Sequence, residues 1–394
     1  MDRDYTKITA ADAPWLALTS TRAVCGAIAA GGHSIFYVGG CVRNALLGLP
    51  ASDVDLATDA IPQRVVELAE AAGLKAVPTG IEHGTITVIS EGIPYEVTTF
   101  RRDVETDGRR AVVAFSNNIT DDARRRDFTM NALYADEDGT LIDPLGGLPD
   151  LRARHVRFIE DAEQRIREDY LRTLRYFRFH AWYGDISEGM DTEALAAIGC
   201  NLSGLETLSA ERIGSEIRKL LEAPDPSTAL AAMSRTGVLG SVLPAADIRF
   251  VLLMIHGAEA LGLAPDWLGR LVALGGEAVP EGLRLNKADQ RRYARIHAAA
   301  FEGLPLRDVA YEHGAEIATQ AYLISCALSE SMPDATTIAL LEQAAAQVFP
   351  VSARDLMPEY VGAALGERLA QLKAAWLASG FKLRKAELLG LPTP

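Results

Sequence analysis

The stretch Phe36–Asp59 leaves this chain few ways to fold: Phe-Tyr-Val-Gly-Gly-Cys-Val-Arg-Asn-Ala-Leu-Leu-Gly-Leu-Pro-Ala-Ser-Asp-Val-Asp-Leu-Ala-Thr-Asp. Ile35 to Val38 reads as a short buried strand of β-branched and aromatic residues. Gly39-Gly40 then removes side chains just where a helical run, Cys41 to Leu47, begins. A glycine pair before a helix start lets backbone N–H groups and the positive helix end approach a phosphate closely. Arg43, in the first turn, adds a bidentate donor to the same phosphate. After the turn Gly48-Leu49-Pro50, Asp53 and Asp55 follow at strand spacing, which points both carboxylates to one face. Neighbouring carboxylates repel unless a cation sits between them, and Mg²⁺ prefers such oxygens together with substrate phosphates. One end of the stretch suits a triphosphate and the other suits its metal.

Each piece alone is common, since a Gly-Gly is usually a turn and an Asp-x-Asp on a strand edge is usually solvated. In this order and with this connector they resemble the active-site motif of the nucleotidyltransferase superfamily. More narrowly, they resemble the class II enzymes that add CCA to tRNA, together with their bacterial poly(A) polymerase relatives. That family usually carries Asp after the Arg, whereas this chain has Asn44, which removes one charge near the phosphate site and leaves both aspartates in place.

At 394 residues the chain has room for two or more domains and a sizeable core. Its 48% hydrophobic and 23% charged residues are those of a globular protein in water, and no window approaches a membrane span. The N-terminus, Met-Asp-Arg-Asp-Tyr, lacks the basic and apolar regions of a signal peptide. Cys25, Cys41, Cys200 and Cys326 are scattered without Cys-x-x-Cys spacing, as expected of reduced thiols in a cytoplasmic protein. The net charge of −14 argues against indiscriminate coating of nucleic acid but leaves RNA open as a substrate, because phosphate binding follows local basic patches. Such patches run through Arg101-Arg102, Arg109-Arg110 and Arg124-Arg125-Arg126, and on to Arg165, Arg167, Arg172, Arg175 and Arg178. Several of these fit equally well as solvated helix faces.

Residues from about 1 to 30 read as an amphipathic helix, and Ile61 to Leu74 as a second, with Pro62 at its start and Gly73 near its end. A glycine-flanked alternating strand, Thr85 to Ile89, is followed by a turn into Tyr95 to Phe100. There Tyr95, Val97 and Thr99 share one face, while Glu96 and Thr98 share the other. Pairing of this strand beside Asp53 and Asp55 makes Glu96 a third carboxylate; in the family, a carboxylate at the matching position is implicated in metal-assisted catalysis. Arg101 to Phe115 is polar, charged and broken by Gly108, which reads as a loop or loose hairpin at the cleft edge. It is similar to the flexible loop that CCA-adding enzymes use in switching from C to A addition. Arg-Arg-Asp-Phe-Thr-Met-Asn, from Arg125 to Asn131, closely resembles a second family motif that contacts the nucleotide's ribose and phosphates, and Arg126 and Asp127 carry that resemblance.

From about residue 150 the pattern is helical almost throughout. Asp161 with Gln164 offers a capping box for one helix running to about Tyr183. Along it Leu171, Leu174 and Phe177 form a core stripe, and Asp169, Arg172 and Arg175 recur on another face. Asp and Arg one turn apart form either an intrahelical ion pair, or an acceptor beside a donor. The second arrangement suits C and A, whose Watson–Crick edges each place an amino donor beside a ring acceptor, and it rejects U and G. The run Glu168-Asp169-x-x-Arg172 matches the motif with which CCA-adding enzymes select CTP and ATP without a nucleic-acid template. Glu211 to Leu221 resembles the next family motif and reads as a scaffold for the nucleotide-reading helix. Farther on, Arg284, Lys287, Arg291, Arg292, Lys382, Arg384 and Lys385 are candidates to grip tRNA phosphates, or else solvated helix faces.

The expected architecture is therefore an α/β nucleotidyltransferase head over 1–147, a mixed small sheet with helices. A helical nucleotide-reading neck over 148–225 and a tRNA-binding helical body and tail over 226–394 follow it. The resemblance implies a Mg²⁺-dependent attack of an RNA 3′-hydroxyl on CTP or ATP. Asp53 and Asp55 would hold the metal, and Glu96 would support it. Gly39, Gly40, Arg43, Arg126, Asp127, Asp169, Arg172, Arg175 and Arg178 would bind the nucleotide. The partners are then tRNA, CTP and ATP, with neither a membrane nor an obligate protein partner called for. A poly(A) polymerase, a partial enzyme adding only CC or only A, and a non-catalytic tRNA-binding protein remain the alternatives at this point.

Overall fold

The computed structural model describes residues 6–51, 53–107 and 110–392, and of 103–107 and 110–113 the backbone only. Gly108 and Arg109, at the centre of the expected loop, lie outside the described residues, as do residues 1–5 of the expected first helix. The chain divides into two compact units between Pro244 and Ala245.

The first unit begins with a sheet whose strands, in chain order, are β1 (Ile35–Val38), β2 (Asp55–Thr58), β3 (Lys75–Gly80), β4 (Thr85–Ser90) and β5 (Ile93–Thr99). Next come β6 (Arg101–Asp107), β7 (Arg110–Phe115), β8 (Tyr134–Ala135) and β9 (Leu141–Ile142). Seven of them form one sheet in the order β3-β4-β5-β2-β1-β8-β9, and β6 and β7 pair separately as an antiparallel ribbon. Within the sheet β2 and β5 run parallel, while the other neighbours are antiparallel.

Helices α1 (Thr19–Ala30), α2 (Gly40–Leu47) and α3 (Pro62–Ala71) belong to this sheet. The face that α1 covers is set by alternation along β5: Tyr95, Val97 and Thr99 are buried, and the Tyr95 hydroxyl hydrogen-bonds Ser20 and Thr21 of α1 at 2.8 and 2.9 Å. Period two then turns Glu96 to the opposite, open face. The first helix is shorter than its pattern suggested. Pro14–Ala17 is a single 3-10 turn, and ahead of it Lys7 bridges Thr140 beside β9. The reason is local: the residue before a proline is driven toward extended backbone, so Ala13 cannot carry a helix into Pro14.

The helical part of this unit comprises α4 (Ile119–Arg124), α5 (Leu148–Arg152), α6 (Ala162–Glu168), α7 (Leu171–Tyr183), α8 (Thr192–Cys200), α9 (Ala210–Leu221) and α10 (Ser227–Arg235), with a short helix after it at Val238–Val242. Asp161 caps α6, accepting a hydrogen bond from Gln164 N at 2.6 Å. The single helix expected from Asp161 to Tyr183 is nevertheless two, because Asp169 is extended at φ −153°, ψ 104°. Its carboxylate accepts from Leu171 N at 3.1 Å, the local backbone bond by which Asp leaves a helix interior and caps the next one.

Leu171, Leu174 and Phe177 are buried as the stripe predicts, and α7 packs against α9 and α10. Phe128, Phe158, Tyr176 and Phe179 interlock, with Phe128 4.9 Å from Phe179 and Phe158 5.4 Å from Tyr176. Each such burial contributes about 2–3 kcal/mol, so the segment following Arg126-Asp127 is fastened rigidly to α7.

The second unit is helical among its described residues. Ala315–Leu328 lies against Ile248–Ala260, Lys287–Phe301, Leu306–His313 and Ala335–Ala345, and a separate apolar cluster gathers Val351, Leu356, Leu372, Trp376 and Leu388. No helix among the described residues is long and apolar enough to cross a membrane.

Candidate active site

The turn from β1 into α2 requires glycine. Gly39 adopts φ 70°, ψ −121°, and a Cβ there would stand 3.2 Å from Arg126 Nη1. Without side chains at Gly39 and Gly40, the uncapped first turn of α2 opens into a cavity of about 450 Å³. Its lining includes Gly39, Gly40, Arg43, Asp55, Arg126, Asp127, Asn131, Asp169, Arg172, Arg175 and Arg212. Five arginines against three aspartates make this a basic pocket in an acidic protein, which suits a triphosphate. A larger cavity of about 620 Å³ lies elsewhere in the unit. Its rim carries Glu160, Asp161, Glu163, Asp191 and Glu193 against a single Arg157, the wrong sign for phosphate.

Arg43 is buried yet heavily engaged. It donates through Nη1 to Asn131 Oδ1 and through Nη2 to the Tyr183 hydroxyl at 2.8 Å, and it lies 3.9 Å from the Tyr183 ring centroid. Burial lowers its pKa from the usual arginine value, which marks a cation held away from water. Asn44 uses both ends of its amide: Oδ1 accepts from Arg43 Nε and Nη2 at 3.1 and 2.9 Å, and Nδ2 donates to the Pro50 carbonyl at 2.7 Å. An Asp here would accept from Arg43 but could not donate to Pro50. The departure from the family residue thus comes with a bond that ties Arg43 to the connector leading to Asp53.

Asp55 opens β2, and Asp53 lies just before the strand rather than on it, exposed to solvent. Asp55 pairs in register with Glu96 across the parallel β2–β5 contact. Burial raises the Asp55 carboxyl pKa above the usual value, and the charges of Glu96 and Asp53 raise it further, against an opposing pull from Arg126. That mutual repulsion is what a divalent cation relieves, so the donor chemistry fits Mg²⁺. Among the described residues no group of three or more His, Cys, Asp or Glu side chains forms a metal cage. Mg²⁺ seldom uses one, taking one or two carboxylates, substrate phosphates and water.

The Arg125–Asn131 segment supplies the next layer. Asp122 holds Arg126 at 2.9 Å through Nη2, with the Tyr134 hydroxyl bridging the two; burial pulls the guanidinium pKa down, but the Asp122 charge and these bonds outweigh it and raise it. Asp127 accepts from Arg175 Nε at 2.7 Å, Asn131 Nδ2 at 2.8 Å and its neighbour Phe128 N at 2.9 Å. Burial pushes its pKa up, but Arg175 and these hydrogen bonds outweigh burial and hold it at about 2. The position singled out from the motif is therefore chiefly a holder of Arg175 and Asn131, at the cavity wall.

The expected Asp169–Arg172 pairing takes another form. Arg172 donates to Glu168 Oε2 at 2.7 Å and to the carbonyls of Arg165 and Arg125 at 2.9 and 3.0 Å. Asp169 is held instead by Arg212 of α9, at 2.7 Å. Arg178 donates to Glu216, also on α9, at 2.5 Å and lies over the Phe179 ring; it does not line the cavity. Asp53 and Glu96 likewise fall outside the lining and meet the site through Asp55. Arg212, Glu216 and Tyr183 escaped sequence reasoning, and Glu168, although part of the matched run, is given no role there. The first two lie in the Glu211–Leu221 motif that reads as scaffold, and Glu168 stands at i,i+4 spacing from Arg172, whereas nothing in the sequence links Tyr183 to Arg43.

Of the basic residues proposed for tRNA in the second unit, Arg292 is paired with Asp266 and Lys385 with Asp355. Lys287 and Arg291, with Arg295, are exposed at i,i+4,i+8 spacing along Lys287–Phe301.

Residues 35–157 match the family model described as "Poly A polymerase head domain", and 189–248 match "Probable RNA and SrmB- binding site of polymerase A". The chain is 33% identical over 375 residues to the mitochondrial CCA tRNA nucleotidyltransferase 1 of Mus musculus, covering 91% of this chain and 86% of that protein. It is 42% identical over 215 residues to the CCA-adding enzyme of Geobacillus thermodenitrificans (strain NG80-2), which covers 54% of this chain and 51% of the relative. Among solved structures it resembles the Bacillus stearothermophilus CCA-adding enzyme in complex with CTP, at TM-score 0.68 and 26% identity, over 92% of this chain and 93% of the other. It also shares the fold of the Thermotoga maritima CCA-adding enzyme complexed with tRNA, at TM-score 0.66 and 18% identity, over 93% and 92%.

Proposed function

The chain belongs to the family of CCA-adding tRNA nucleotidyltransferases, and from that membership we propose that it adds CCA to tRNA 3′ ends from CTP and ATP without a nucleic-acid template. The observation that carries this reading is the convergence, on one basic cavity, of the Gly39–Arg43 turn, the Asp55 carboxylate and the Asp169 carboxylate. The RNA 3′-hydroxyl attacks the α-phosphorus of the bound nucleotide in line, forming a phosphodiester and releasing pyrophosphate. Gly39, Gly40, Arg43, Arg126 and Arg175 receive the triphosphate and ribose, the guanidiniums neutralising charge in a site partly shielded from water. Asp53 and Asp55, supported by Glu96, are the residues that would hold Mg²⁺, which when bound supplies charge stabilisation at the attacking hydroxyl and the leaving pyrophosphate. Asp169 accepts from the amino group that C and A share in position, and Arg172 supplies the neighbouring donor. Arg178 supports this set through Glu216 and Phe179.

In the same reading, residues 1–147 are the catalytic head, 148–225 the neck, and 226–394 a body and tail that grip tRNA. The free, scattered cysteines fit a cytoplasmic setting. The test is purified protein with tRNA lacking its 3′ end, Mg²⁺ and each labelled nucleotide separately and together. CTP alone should add two residues, and CTP with ATP should complete the end and stop. The match to a poly(A) polymerase head favours a second reading, A-tailing; an A ladder from ATP alone would establish it and overturn CCA addition.

A further inference from the structure

We propose that Arg212 is the positioning residue that aims Asp169 for base selection, an inference that rests on the CCA-adding reading above. The break between α6 and α7 takes Asp169 off the helix face where Arg172 lies, so the neighbouring arginine does not orient it. One carboxylate oxygen, Oδ1, caps Leu171 N at 3.1 Å, and the other, Oδ2, accepts from Arg212 Nη2 at 2.7 Å. Arg172 meanwhile bonds Glu168 and two backbone carbonyls. The direction in which Asp169 points is therefore set jointly by its own cap on Leu171 and, across the fold, by Arg212 of α9.

Two features make this a selectivity device rather than a strut. Arg212 and Asp169 both line the nucleotide cavity, and their side chains are 27% and 32% exposed, so the pair contributes little to holding the fold. A carboxylate oxygen engaged by one donor keeps a second acceptor site, so Oδ2 fixed by Arg212 still accepts from an exocyclic amino group. Freed of Arg212, the Asp169 side chain has other staggered rotamers open to it, and an acceptor spread over several directions no longer distinguishes an amino group from a carbonyl. One turn along α9, Glu216 engages Arg178 of α7. This second, more buried pair joins α9 to α7 and places Arg212 where Asp169 needs it.

The experiment uses the full chain with Arg212→Ala, Arg212→Lys, Asp169→Ala and the Arg212→Ala/Asp169→Ala double variant. It measures kcat/KM for CTP, ATP and UTP on tRNA ending before CCA, and the melting temperature of each protein. Arg212→Ala should keep a near wild-type melting temperature and lose roughly tenfold or more in CTP-over-UTP preference, the scale of one charge-assisted hydrogen bond. Arg212→Lys should recover part of that loss, and the double variant should be no less selective than Asp169→Ala alone. A general structural defect would slow all nucleotides equally and leave the ratio untouched. Wild-type preference in Arg212→Ala beside lost preference in Asp169→Ala overturns the positioning role alone, and so do additive losses in the double variant. Wild-type preference in Asp169→Ala overturns base reading and this proposal with it. If Arg212→Ala fails to fold, Arg212→Met, which keeps the length of the side chain but has no N–H donor, carries the same comparison.

Discussion

Asp55 and Glu96 stand side by side in the parallel pairing of β2 with β5, and the Glu96 charge adds to the burial that raises the cost of charging Asp55. Two such carboxylates, with Asp53 close by, are an arrangement whose repulsion a bound cation relieves. The catalytic use proposed for these carboxylates and folding stability therefore pull in opposite directions at this point of the sheet.

Asp55→Asn should separate the two. Transfer of both C and A should fall on the order of 10³-fold, while the melting temperature holds or rises because one like-charge contact is gone. Incorporation of labelled CTP and ATP, with a thermal melt of the same preparation, checks it. Near-normal turnover in the folded variant would remove Asp55 from the reaction.

Asn44→Asp restores the residue the family usually carries and should nonetheless impair this chain. Asp keeps the contact with Arg43 but faces the Pro50 carbonyl with an acceptor, losing the 2.7 Å bond from Nδ2. The added charge also competes with the triphosphate for Arg43. A rise in KM for CTP and ATP of about tenfold is expected, the size of one such hydrogen bond. An unchanged KM would mean that the link to the connector does not matter for nucleotide binding.

The acid side of the stability curve should report Asp127. Its folded pKa of about 2 lies below its ordinary value of 3.8. A depressed carboxyl stabilises the fold fully above the unfolded pKa and loses that contribution as pH falls through the folded one. The window runs from about pH 4 down to pH 2 and is worth on the order of 2 kcal/mol. Asp127→Asn should be less stable near neutral pH, since Arg175 is left without its partner, and its deficit should shrink across that window. Urea melts at several pH values check it, and parallel curves for the two proteins would count against the assignment.

Replacing 104–113 with a short Gly/Ser linker should spare addition of the two C residues and impair the final A. Its described residues, 104–107 and 110–113, belong to the β6–β7 ribbon, whose two strands pair with each other apart from the main sheet. Product lengths on tRNA lacking CCA, followed on a sequencing gel, distinguish this from equal loss at every step, which would indicate a structural role.

Local chemistry made much of this protein legible. The strand–glycine–helix turn at Gly39 was readable because few sequences other than Gly-Gly tolerate φ 70° beside a helix start. The faces of β5 were readable because side chains alternate by two, which set Tyr95 against α1 and Glu96 away from it. Helix ends marked by proline or a short acidic cap were also visible, Pro62 and Asp161 among them. The sequence pattern overran at Pro14 and at Asp169, where one residue's backbone preference outweighed an apolar period continuing past it.

By itself the sequence determined the element types, the glycine turn, the acidic strand start and the stripe on α7, because these depend on neighbours within a few residues. Tertiary structure decided which charges meet. Asp169 finds Arg212 rather than Arg172, Arg178 finds Glu216, Asp127 takes Arg175, and Arg43 reaches Tyr183. An arginine side chain is long and has five donors, so several partners lie within its reach. Which one it takes is settled by burial and by the packing of α7 on α9, and those long-range contacts leave no period in the chain to read.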